Sequence, residues 1–222
     1  MESNNFAVIF DMDGVLIDSQ PLHYEIDMRV LKACGYKAEM STVTAYTGIS
    51  TPDRWPKYKA TLGLTPSIQE LITMCEETVR KVFESFDFVP IDGVSKLLQD
   101  LKDMGMPIAV ASSSSYELIN MVLTGTGISE YFDIIVSGEG LKRGKPNPDI
   151  YLKAAELLNV LPQNAIGIED SPAGMEAVKN ANMTCIALKN PNTFGQIFTN
   201  AHYVINHFDE CLNIVKKVAG IK

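Results

Sequence analysis

The sequence predicts an α/β fold: a parallel sheet with helices on both faces, plus a small helical domain inserted after the first strand. Three observations carry this. Short apolar runs alternate along the chain with stretches whose apolar residues recur at helical spacing. The runs are apolar throughout rather than every second residue, as in strands buried on both faces. From about residue 19 to about residue 90 the runs stop, while helical patterns continue.

The first run is Phe6-Ala7-Val8-Ile9-Phe10. Helices are then expected at 21–33, 41–46, 52–61 and 66–84, with Gly35, Gly48 and Gly63 marking helix ends. Val94, Leu97, Leu98, Leu101 and Met104 give the next helical stripe. Further strand runs fall at 107–111, 134–136, 165–168, 185–188 and 203–205. Phe208, Cys211, Leu212, Val215 and Val218 form a closing helix. Residues 1–18 and 91–222 are therefore expected to form a Rossmann-like catalytic core, and 19–90 the inserted domain.

Composition narrows the class. The 222 residues suffice for a sizeable core without disulfides. Hydrophobic residues make up 46% and charged residues 21%, ordinary values for a globular chain. A formal charge of −8 disfavours a nucleic-acid partner. Cys34, Cys75, Cys185 and Cys211 form no CxxC pair and read as free thiols. No apolar run reaches membrane length and the first residues do not resemble a signal peptide, so the expectation is a cytoplasmic protein, and a monomer fits an independent core and inserted domain.

Four segments carry chemistry. Asp11 and Asp13, in Asp11-Met12-Asp13-Gly14, directly follow the first strand. Ligands of open parallel sheets bind beyond the strand carboxyl ends. Two carboxylates there suit Mg²⁺, although an acidic solvated turn has the same composition. Ser112 and Ser113, in the serine run after the second strand, are either a phosphate cradle or a helix cap. Lys145, in Gly144-Lys145-Pro146-Asn147-Pro148, neutralises phosphate if it lies near the strand ends, and is otherwise a surface lysine. Glu169 and Asp170 end another buried strand and either complete a metal site or cap the following helix. All four segments border predicted strands, so their groups are expected to converge on one sheet edge.

Taken in order, these segments resemble the four motifs of the haloacid dehalogenase superfamily, in particular its β-phosphoglucomutase-like proteins and sugar-phosphate phosphatases. The resemblance implies that the insertion is a cap and that Asp11 is a nucleophile forming an aspartyl-phosphate. It implies that Asp13 is the general acid and base, and that Ser112, Ser113 and Lys145 bind phosphate. It implies Mg²⁺ held by Asp11, Asp13 and Asp170, with Glu169 either coordinating or orienting. A small phosphorylated metabolite is the implied partner, and an acid at position 13 argues against dehalogenation.

The cap should select the substrate, with His23, Thr51, Arg54 and Arg80 as candidates. In β-phosphoglucomutase an arginine after a Gly-x-Ser turn grips a second phosphate. Here the stretch is Gly48-Ile49-Ser50-Thr51, which favours a phosphatase over a mutase. A catalytically idle binding module on the same fold is the alternative of another class. His202 and His207 read as structural.

Overall fold

The computed structural model describes residues 6–46, 49, 51–192 and 196–221. The chain divides into two compact units. One comprises Met1–Asp18, Phe88–Pro191 and Gln196–Lys222, and the other Ser19–Asp87 with Asn192–Gly195.

The first unit is built on a wholly parallel sheet. Among the described residues its strands are β1 (Ala7–Phe10), β2 (Ile108–Ser112), β3 (Ile134–Ser137), β4 (Ala165–Glu169), β5 (Thr184–Leu188) and β6 (Tyr203–Ile205). Their spatial order is β3-β2-β1-β4-β5-β6. The chain thus runs outward from β1 through β2 to β3, then crosses back to lay β4 on the other side of β1. That reversal opens a crevice at the carboxyl ends of β1 and β4, where open α/β sheets bind ligands. Register fixes the edge: Phe10 pairs with Ile168 and with Val110, so the residues that follow these strands emerge side by side.

The inner strands β1, β2 and β4 are buried throughout because both faces are covered. Ile9, Ala109, Ala111, Ala165 and Cys185 pack with Tyr151, Ala154, Met175 and Val178. The latter lie on α7 (Asp149–Leu157) and α8 (Pro172–Asn180). Side chains alternate along a strand, so Val8 and Phe10 point to the opposite face. Both are fully buried. Gly167 in β4 allows a close approach, since a Cβ there would stand 2.5 Å from Val178 Cγ2 on α8. Among the described residues, the remaining α-helices of this unit are α5 (Val94–Asp103), α6 (Tyr116–Gly125) and α9 (Cys211–Ala219).

The second unit is helical: α1 (Gln20–Ala33), α2 (Met40–Thr44), α3 (Thr51–Leu62) and α4 (Ile68–Glu84). Its helices are inserted in the chain between β1 and β2. Ser67 and Glu70 form a reciprocal capping box that starts α4, later than the prolines suggest. Apolar faces of α1, α3 and α4 bury Ile26, Val30, Trp55, Tyr58, Leu71 and Phe83. Within this core lies a charged group, Asp27, bound by Arg54 Nη2 at 3.1 Å and by the Tyr58 hydroxyl at 3.0 Å.

Candidate active site

The loop after β1 is wound tightly. The Met12 carbonyl accepts the N–H groups of Val15, Leu16 and Ile17, and Gly14 N–H donates to the Ile17 carbonyl at 2.8 Å. Gly14 has φ +80°, and a Cβ there would stand 2.1 Å from Asp170 Oδ2. Only glycine lets this turn press against the end of β4. Asp11 N–H still donates to the Ile168 carbonyl at 3.0 Å, so Asp11 continues the ladder and its carboxylate is fixed to the sheet edge.

Asp11, Glu169 and Asp170 are all buried, and each brings a carboxylate oxygen within 4.8 Å of the others. Burial and the neighbouring Glu169 charge push the Asp11 pKa well up, against the opposing pull of Lys145. Lys145 Nζ lies 2.6 Å from Asp11 Oδ1, 2.6 Å from Glu169 Oε1 and 3.2 Å from the Ala111 carbonyl. Burial works against its charge, but Asp11 and Glu169 outweigh that and hold its pKa above the ordinary lysine value. One buried cation thus contacts two of three clustered carboxylates. Hard, crowded oxygen donors with excess negative charge are what a divalent cation such as Mg²⁺ fits.

Glu169 is held through both carboxylate oxygens. Its Oε1 also accepts the Tyr151 hydroxyl at 2.7 Å. Its Oε2 accepts Asp170 N–H at 3.1 Å, Ser171 N–H at 3.3 Å and the Ser171 hydroxyl at 3.1 Å. Gly174 lies beneath it, where a Cβ would come within 1.9 Å of Oε1. The Asp170 carbonyl accepts Gln196 Nε2 at 2.8 Å, and the Gly14 carbonyl accepts Asn190 Nδ2 at 3.2 Å. Two amide side chains after β5 thereby brace the loops that bear Asp13 and Asp170.

Ser112 is the last residue of β2, fully buried, and its Oγ accepts Ser114 N–H at 3.1 Å. Ser113 is exposed beside Gly138, whose Cβ position is 3.0 Å from Ser113 Cα. The Ser114 hydroxyl donates to Asp13 Oδ2 at 3.2 Å. Asp13 is half-buried, where Asp11 is only 7% exposed. The first unit therefore gathers Asp11, Glu169, Asp170 and Lys145 tightly, with the Ser112 turn and Asp13 joined through Ser114.

The other candidates lie on the helical unit. Half-buried His23 faces Phe83 with ring centroids 6.1 Å apart. Thr51 begins α3 and is half-buried, Arg80 is exposed on α4, and Gly48 and Ser50 lie outside the described residues. Arg54 is committed within its unit: besides Asp27, its Nη1 donates to the Ile49 carbonyl at 2.7 Å. Sequence reasoning missed Tyr151, Ser114, Asn190 and Gln196. Only the Pro148-Asp149 helix start after Lys145 hinted that a residue of α7 would come near.

The chain matches the family model described as haloacid dehalogenase-like hydrolase over residues 8–188. It is 30% identical over 214 residues to a phosphorylated carbohydrates phosphatase of Thermotoga maritima, covering 96% of this chain and 99% of that one. It is 32% identical over 190 residues to hexitol phosphatase B of Escherichia coli, covering 83% and 84%. A β-phosphoglucomutase structure from Clostridium difficile superposes with a TM-score of 0.81 at 29% identity, covering 96% of each chain. Sheet order, acidic cluster and sequence agree: the chain belongs to the haloacid dehalogenase-like hydrolase family.

Proposed function

We propose that this protein is a Mg²⁺-dependent phosphatase of a small phosphorylated carbohydrate, acting through an aspartyl-phosphate on Asp11. Its class, a phosphoric monoester hydrolase, follows from the family and from relatives named as phosphatases. The observation that carries the mechanism is the convergence of Asp11, Lys145, Glu169 and Asp170 at the β1/β4 crevice.

A carboxylate of Asp11 attacks phosphorus, forming the Asp11–phosphate bond as the bond to the leaving oxygen breaks. Lys145 pins Oδ1 and so orients the carboxylate for attack. Half-buried Asp13, steadied by Ser114, gives its proton to the leaving oxygen. It then takes a proton from the water that attacks phosphorus, the bond to Asp11 breaks, and inorganic phosphate leaves. Ser112, Ser113 and Lys145 hold the phosphoryl oxygens. Asp11, Asp170 and the backbone at Asp13 would hold the metal, which when bound screens Asp11 from the phosphate's charge.

A phosphatase is favoured over a phosphosugar mutase because Arg54, the arginine nearest the Gly-Ile-Ser turn, is bound to buried Asp27. A mutase must grip a second phosphate. Phosphate release from a panel of sugar phosphates, with Mg²⁺ or EDTA, tests the proposal. Asp11→Asn should lower turnover by a factor on the order of 10⁴ or more. Conversion of β-glucose 1-phosphate into glucose 6-phosphate without phosphate release would establish a mutase. No turnover of any ester would leave the idle binding module.

A further inference from the structure

Tyr151 has no role in the chemistry above, yet it lies inside the acidic cluster. It stands on the first turn of α7, fully buried. Its hydroxyl donates to Glu169 Oε1 at 2.7 Å, and Lys145 Nζ lies 5.1 Å from its ring centroid. A phenylalanine would fill the same space and keep the ring under the ammonium. The hydroxyl is therefore the feature that needs explaining.

An ammonium has three donors. Those of Lys145 go to Asp11, Glu169 and the Ala111 carbonyl. To take a phosphoryl oxygen, Lys145 must release one of them. Releasing Asp11 would free the attacking carboxylate to turn, and releasing the Ala111 carbonyl would take a donor from a buried backbone acceptor of β2. Releasing Glu169 would ordinarily strip a buried carboxylate oxygen of its donor, a costly step. Here that oxygen already holds the Tyr151 hydroxyl. The other oxygen, Oε2, has three protein donors of its own. A carboxylate offers roughly four lone-pair sites. Glu169 is thus saturated by the protein, and can surrender Lys145 without being left unpaired.

We infer that Tyr151 is a positioning residue: its hydroxyl holds Glu169 Oε1 so that Lys145 can transfer one donor from Glu169 to the substrate's phosphoryl group. This rests on Lys145 as a phosphate-binding residue in the proposed function. Without the hydroxyl, Glu169 retains Lys145 and phosphate competes poorly for it. The defect falls on phosphate affinity rather than on folding or on the metal.

The test compares wild type with Tyr151→Phe. Inorganic phosphate binding to the Mg²⁺-loaded protein and Mg²⁺ binding to the metal-free protein are each measured by calorimetry, alongside melting temperature. Tyr151→Phe should weaken phosphate binding by about ten- to a hundredfold. Mg²⁺ affinity should stay within twofold and melting should be little changed. With an ester that turns over, KM should rise by a larger factor than kcat falls. Tyr151→Leu, which also removes the ring, should weaken phosphate binding at least as much. Phosphate affinity equal to wild type in Tyr151→Phe overturns the inference, as does a loss of Mg²⁺ affinity with phosphate affinity retained. A wild-type protein that binds no inorganic phosphate overturns it too. Wild-type phosphate binding without turnover of any ester would instead remove the phosphatase reading and leave Tyr151 testable by affinity alone.

Discussion

The Lys145 ammonium lies 2.6 Å from Asp11 Oδ1, and both side chains are only 9% exposed. Removing one partner of a buried pair leaves the other charge without compensation. Lys145→Met should therefore abolish turnover and also destabilise the protein by about 3–5 kcal/mol. Urea denaturation of the first unit, followed beside initial rates, checks both effects. Full stability with lost activity would mean that the pair serves only chemistry.

Metal should stabilise the same cluster. A ligand at a hundred times its dissociation constant adds about 2.7 kcal/mol. Mg²⁺ should therefore raise the melting temperature by several degrees, and EDTA should reverse it. In Asp11→Asn and Asp170→Asn the rise should shrink. An equal rise in both variants would place the ion elsewhere.

Arg54 and Asp27 form the charged pair inside the helical unit, with side chains 12% and 4% exposed. Burial raises the Asp27 pKa, while Arg54 and Tyr58 oppose the shift. Arg54→Met should cost about 3–5 kcal/mol, read by urea denaturation. Adding Asp27→Asn to it should recover part of the loss. Strict additivity of the two substitutions would show that they do not act as a pair.

His207 gives a pH dependence. Its ring lies 3.1 Å from Asp92 Oδ2 and 3.2 Å from Asp209 Oδ2, and the bond to Asp92 leads the causes that raise its pKa. The folded state therefore holds the proton more tightly than the unfolded chain. The stabilisation is fully present below the unfolded value of about 6.5 and is lost as pH rises through the higher folded value. Wild type should melt above His207→Gln at about pH 6 and the gap should close near pH 8.5. A constant gap would assign His207 a role independent of charge.

The sheet was legible because strands buried on both faces leave unbroken apolar runs. The run at 203–205 coincides with β6, although Val204 there is exposed, and the run at 165–168 falls one residue short of Glu169, where β4 ends. Polarity misled there: Ser112 and Glu169 are polar yet still belong to their strands, because their side chains are buried in the site. The acids stood out because they adjoin strand ends, whereas Lys145, well beyond the end of β3, stood out by its Gly-Lys-Pro setting. Which partner a group takes was not legible. Arg54 reads as a cation on an amphipathic helix, and only the packing of α1 against the rest of its unit reveals Asp27 beneath it. Tyr151 reads as one more apolar face residue of α7, since nothing local marks where its hydroxyl ends. Asn190 and Gln196 lie in a segment without periodicity, and their acceptors are set by sheet order.

Gly14 and Gly174 carry a consequence for mutational scanning. Each gives its missing side chain's space to a carboxylate, Asp170 over the first and Glu169 over the second. In a library of single substitutions scored by turnover, both positions should reject every other residue, as strictly as Asp11 does. Such a map would credit two residues that offer substrate nothing but room. Variation in this crevice then has more room at the serine turn, where exposed Ser113 does not have to displace an acid.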